Sequence, residues 1–141
     1  MKYFGATDKG KIRKTNQDSY VIVTSSANEV LAIVCDGIGG GQAGDVASSI
    51  AVGHFSEVFS NNQGFIDAKD AKAWLKKEIS AANMKILTLG NEQSNLKGMG
   101  TTLTGVLLSN SGTFVINIGD SRTYSFSKKA KRLDQLTMDH N

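Results

Sequence analysis

At 141 residues the chain has room for one domain with a real core and too little for two. Its longest unbroken apolar run, Val30 to Cys35, is far short of a membrane span, and the start MKYFGATDKGKIRK lacks the apolar stretch of a secretory signal; a soluble, cytoplasmic protein with no membrane contact is expected. One cysteine rules out an internal disulfide, and a net charge of +3 suits an anionic substrate without naming one.

The first elements in chain order are strands. DSYVIVT at 18–24 alternates with period two, and VLAIVC at 30–35 reads as a strand buried on both faces, the two joined by a hairpin turn at SSANE. Ala43, Val46, Ala47, Ile50, Ala51, His54, Phe55 and Val58 then keep the spacing of one helix face until NNQG at 61–64. A second helix starts at Asp67 as N-cap, turns Ala71, Leu75, Ile79, Ala82, Ile86 and Leu89 inward, and is expected to stop at Gly90. Three short strands follow, GTTLTGVLLS, TFVINIG and TYSFS, joined by NSG and DSR, and a Lys-rich turn closes the pattern. Strands, then a helix pair, then strands argue for an α+β fold, antiparallel sheets with the helices packed on one side.

The glycine cluster in LAIVCDGIGGGQAGD admits several chemistries. Gly39, Gly41 and Gly44 match G-x-G-x-x-G, but a dinucleotide fold needs strand, helix, strand, and here helix follows helix. A Walker phosphate loop fails because no Gly-Lys-Ser/Thr follows. A cysteine phosphatase would need arginine at position 41, which is glycine, so Cys35 reads as a small buried side chain. A metal site draws support from elsewhere. If the first two strands form a hairpin, Asp18 at the start of one and Asp36 at the end of the other fall at the same end. Two such carboxylates repel unless a cation lies between them, and oxygen donors favour Mg²⁺ or Mn²⁺ over Zn²⁺. Asp36 also has a bland reading as a strand-end turn former, which the glycines and the other motifs outweigh.

Five segments in order, RKTNQD, DGIGGGQAGDVAS, GMGTT, NIGDSR and LTMDH, resemble the successive motifs of the type 2C protein phosphatases, the metal-dependent serine/threonine phosphatases. The resemblance runs through the chain and implies a sandwich of two antiparallel sheets flanked by helices. It implies that Asp18 and Asp36 are ligands of a centre of two Mn²⁺ or Mg²⁺ ions, that Gly37 supplies its carbonyl, and that Arg13 grips the substrate phosphate. Asp120 would bind a third, weaker ion; in GDSR it reads equally as a turn former. Phosphorylated proteins are the implied substrates, with a water attacking phosphorus in line and no phosphoenzyme. Gln17 stands where members commonly carry glutamate, and Ile38 where some carry a histidine acid, so the leaving group's proton must come from water. The family pattern continues for roughly another hundred residues. These 141 residues are therefore expected to be the N-terminal portion of one domain, with reduced or no turnover. A non-catalytic fragment that binds a phosphoprotein is the alternative.

Uncovered sheet surface in such a fragment predicts a homodimer or partial disorder toward Asn141. His54 reads as a core histidine and Trp74 as helix packing. Lys128, Lys129, Lys131 and Arg132 read as a solvated hairpin tip, since no aromatics interleave to make a nucleic-acid surface.

Overall fold

The computed structural model describes residues 1–140. The strands β1 (Asp18–Thr24) and β2 (Val30–Ile38) form the expected hairpin. Helices α1 (Ala43–Ser60) and α2 (Ala68–Glu92) follow, then a single 3₁₀ turn at Ser94–Leu96. Strands β3 (Gly100–Thr101), β4 (Leu103–Ser109), β5 (Gly112–Ile118), β6 (Tyr124–Ser127) and β7 (Arg132–Gln135) complete the order. The main sheet runs β1-β2-β4-β5 with β3 paired to the end of β2, every neighbour antiparallel; β6 and β7 make a separate two-stranded sheet.

Alternation sorts each strand of the main sheet. Val21 and Val23 on β1, Leu31, Ile33 and Cys35 on β2, Leu103 and Leu107 on β4 and Ile116 on β5 belong to the core beneath the helix pair. The helices run antiparallel, since Phe59 meets Trp74 near one end and His54 meets Glu78 farther along. Trp74 packs among Phe55, Phe59 and Phe65, with ring centroids 5.5–6.2 Å apart. Asp67 caps α2 as its sequence suggests: its Oδ1 accepts from the Asp70 amide at 2.8 Å, while Asp70 Oδ2 accepts from the Ile66 amide at 2.9 Å. His54 is buried, and its Nε2 lies 2.7 Å from Glu78 Oε2.

Several expectations need correction, and GTTLTGVLLS is two strands, β3 and β4, with Thr102 between them. The second strand extends past Cys35 to Ile38, because Gly37 and Ile38 pair with Thr101 and Gly100. It is not buried on both faces: Val34 keeps 49 % of its surface exposed, on the side away from the helices. Gly90 does not stop α2, which runs on to Glu92 and ends where Gln93 adopts an extended backbone. The DSR segment is not a hairpin turn, since β6 pairs with β7 and not with β5. It carries the chain from one sheet to the other. Arg122 and Thr123 on this crossing share a cleft with Phe4, Gly5, Tyr20 and Val34 over the outer face of the main sheet.

The run after β7 is tied to this crossing. Arg122 donates twice to Asp139 (2.9 and 2.7 Å), the His140 amide donates to the Gly119 carbonyl (2.8 Å), and Asn117 Nδ2 donates to the Met138 carbonyl (2.8 Å). The segment after β7 is thus hydrogen-bonded to the crossing as far as His140; Asn141, toward which disorder is predicted, lies outside the described residues. Lys128, Lys129 and Lys131 are exposed on the turn between β6 and β7, as the hairpin-tip reading requires. Among the described residues no helix is long and apolar enough to cross a membrane.

Candidate metal centre

Hairpin register sets the site. Asp18 and Asp36 are direct cross-strand partners, followed inward by Ser19 with Cys35 and Tyr20 with Val34. Residues opposite one another in an antiparallel pair point to the same face, so both carboxylates share the outer face, beyond Tyr20 and Val34. Both are exposed at the sheet end.

The two acids interact. The Asp36 carboxyl is raised above its ordinary range, first by partial loss of hydration, next by the Asp18 carboxylate within hydrogen-bonding reach and by its charge; Arg13 opposes this, and Asp120 adds to it. Like charges this close on a rigid hairpin favour any cation that can sit between them. Arg13, Asp36 and Gly37 line one open cleft of about 490 Å³, together with Lys14, Thr15, Gln17 and Gly41. Asp120 lies on the inter-sheet crossing, exposed, and its charge is felt at Asp36. Among the described residues no three acidic, histidine or cysteine side chains converge as a metal-binding group. The structure thus brings Asp18, Asp36, Gly37 and Arg13 into one neighbourhood and leaves Asp120 at its margin.

Backbone contacts hold this end of the sheet still. Gly37 lies so close to helix α1 that a Cβ on it would collide with the Gly44 carbonyl. Its amide donates to the Gln17 carbonyl (3.0 Å), which also accepts from Ser48 Oγ (2.7 Å). Ser48 is completely buried and bonds Ser19 Oγ as well (3.0 Å). On the other flank the Asp36 amide donates to Thr102 Oγ1 (3.0 Å), the Thr102 amide donates back to the Asp36 carbonyl (2.9 Å), and Thr102 Oγ1 reaches Ser121 Oγ (2.7 Å). Asp36 is therefore clamped by Thr102, between β3 and β4, and linked through it to the residue after Asp120. Gln17, Ser48, Thr102 and Ser121 are supporting residues that the sequence reading leaves without a role. The tandem threonines after GMG and the serine after the aspartate in GDS were the available signals.

The donor set, two carboxylates and a backbone carbonyl, is all oxygen and suits a hard divalent cation. Residues 11–141 match the family described as protein phosphatase 2C, and the chain belongs to that family. It is 38 % identical over 135 residues to the serine/threonine phosphatase stp of Listeria welshimeri, which covers 96 % of this chain and 53 % of that one. The crystal structure of serine/threonine phosphatase Stp1 from Staphylococcus aureus superimposes with a TM-score of 0.86 at 32 % identity, over 96 % of this chain and 52 % of that chain. The catalytic domain of serine/threonine protein phosphatase PstP, solved in complex with two manganese ions, gives a TM-score of 0.78 at 32 % identity, over 94 % of this chain and 53 % of that one. The chain spans about half the length of the relatives named first.

Proposed function

We propose that these residues form the metal-anchoring part of a divalent-metal-dependent phosphatase acting on phosphoserine and phosphothreonine in proteins. One observation carries the reading: the cross-strand pairing of Asp18 with Asp36, which itself lines an open cleft together with Arg13. Asp18, Asp36 and the Gly37 carbonyl are the groups that would hold Mn²⁺ or Mg²⁺, two ions in the full site, with Asp120 serving a third. When bound, the cations acidify the attacking water and neutralise phosphate charge. The chain's own residues do the rest. Arg13 meets two phosphate oxygens with its planar fork and holds the phosphorus for in-line attack. Ile38 cannot donate a proton, so the leaving serine or threonine oxygen takes its proton from solvent. The rigid β2–α1 junction keeps Asp36 from drifting as charge changes. Exposed Asp18, Asp36 and Arg13 leave the cleft open to a protruding phosphorylated side chain. A cytoplasmic setting fits the single thiol, Cys35, whose burial pushes it up to about 12.

On its own this chain is proposed to turn over slowly, since two carboxylates and one carbonyl underfill a two-ion centre. A phosphoprotein-binding unit without turnover is the second reading, favoured by the lack of a third converging side-chain ligand among the described residues. The half-exposed outer face, with Tyr20, Val34 and Val115, supports association of two copies through that surface. Hydrolysis of p-nitrophenyl phosphate with and without Mn²⁺, on samples followed by light scattering through a dilution series, separates these. Metal-dependent turnover that Asp36→Asn abolishes supports the enzyme. Metal binding with no turnover supports the binding unit, and a monomer at every dilution removes the dimer.

A further inference from the structure

The loop after β2 holds three consecutive glycines, Gly39, Gly40 and Gly41, and it borders the cleft that Arg13 and Asp36 line. Gly41 sits at φ +61, in the left-handed region, and a triple-glycine loop has more conformational freedom to lose than any other sequence. Something must hold it. Gln17 Nε2 donates to the Gly39 carbonyl and to the Gly41 carbonyl, each at 3.1 Å, so one carboxamide nitrogen closes the loop from both ends. The same residue's backbone carbonyl accepts from the Gly37 amide and from Ser48 Oγ. Its side chain also lies against the start of α1, where a Cβ on Gly44 would come within 2.8 Å of Gln17 Cδ. Gln17 thus bridges the segment before β1, the end of β2, the glycine loop and the first turn of α1.

We infer that Gln17 is a positioning residue, a latch that fixes the Gly39–Gly41 loop beside the acid pair through the two N–H bonds of its carboxamide. Glutamate at this position is not a conservative replacement here. A carboxylate has no N–H to give, and it would set a negative charge against two carbonyl oxygens and beside Asp18. Methionine keeps the volume and removes the donor without adding charge. The latch follows from hydrogen-bond geometry alone; its consequence for cation binding rests on the metal-anchoring reading above.

Hydrogen exchange followed by mass spectrometry on wild type, Gln17→Glu and Gln17→Met tests the latch. Exchange of the Ala43 amide, which donates to the Gly40 carbonyl across the loop (3.1 Å), is expected to quicken by about tenfold or more in both variants, the scale of one or two lost hydrogen bonds, while the β4–β5 amides keep their protection. Unchanged loop exchange in both variants would overturn the latch. Equal acceleration throughout the chain with a lowered Tm would reduce Gln17 to a general structural residue and overturn it as well. Acceleration in Gln17→Glu alone would replace the donor argument with one of charge repulsion. Should a variant not fold, the wild-type protein still decides: the Gln17 side-chain amide protons must exchange with solvent at least about tenfold more slowly than those of exposed Gln42 and Gln63 in NMR spectra. Equal rates would refute the bonds. Mn²⁺ titration of the same samples reads the consequence separately. Weaker binding in Gln17→Met than in wild type supports loop control of the centre, whereas no binding by wild type strikes the metal reading and leaves the exchange result standing.

Discussion

On the helix side of the main sheet Leu31, Ile33, Cys35 and Leu107 have lost essentially all contact with water, while on the other face Val34, one residue along β2, keeps 49 % of its surface, and Tyr20 on β1 and Val115 on β5 keep 39 % each. The first face carries packing and the second carries charge, at the end where Asp18 and Asp36 meet. A sheet face sealed by two helices gains its stability from apolar area removed from water. The opposite face keeps two repelling acids side by side at its end, at a cost to the fold. Apolar packing and acid repulsion are therefore separated by the thickness of one sheet, and substitutions on the two faces should differ in kind.

The largest effect is expected from the packed side. Phe59→Ala, at a wholly buried ring against Trp74, should destabilise by about 3–5 kcal/mol in urea unfolding. Cys35 supplies a second measure: buried, with its thiol pushed up to about 12, it should resist thiol reagents in the native state and become reactive in this variant. Next comes the pair between the helices. Glu78→Leu strands the His54 imidazole, whose Nδ1 already has no partner among the described residues, and should cost about 1–3 kcal/mol. Adding His54→Leu should restore much of that loss, and a double-mutant cycle showing no coupling would make the contact incidental.

The acid end should respond in the opposite sense. Asp36→Asn removes one of two repelling carboxylates, so Tm should hold or rise while Mn²⁺ affinity by calorimetry collapses; Asp120→Asn should weaken Mn²⁺ binding much less. A fall in Tm comparable to that of Phe59→Ala would break the division between the faces. The smallest effect concerns the C-terminal strap. Asp139 is held below the usual carboxylate range, chiefly by its hydrogen bond from Arg122. Its contribution is thus present above the ordinary value of about 4 and fades as pH falls through the lowered one. Exchange of the 136–140 amides, corrected for intrinsic rates, should speed up only in strong acid, with no change in the helices.

Periodicity and caps made the two helices, the hairpin and the acid pair legible, because each depends on residues close in sequence or on a short turn. The Asp18–Asp36 meeting needed only antiparallel geometry. What escaped is long-range. Glu29, in a stretch that reads as a polar turn, is buried because its Oε2 accepts from the Asn110 amide at 2.6 Å, 81 residues away. Thr102 and Ser121 join Asp36 to the inter-sheet crossing by contacts that no local pattern announces. The crossing itself was misread as a turn because DSR has turn chemistry, while the partner of β6 is decided by β7 and by the strap after it. Gln17 was legible as a departure from the family pattern; its function was not, since two carbonyl acceptors lie more than twenty residues away.

At the Gly37–Gly44 contact, helix and strand touch backbone to backbone, with no side chain between them to vary. Elsewhere in the core a lineage can exchange a larger residue for a smaller one and compensate across the interface. Here there is nothing to exchange. Any residue with a Cβ at Gly37 must push the first turn of α1 away, and Asp36, one position earlier, moves with it. The acid's position and the docking of the helix are thus a single mechanical unit, and neither can shift without the other.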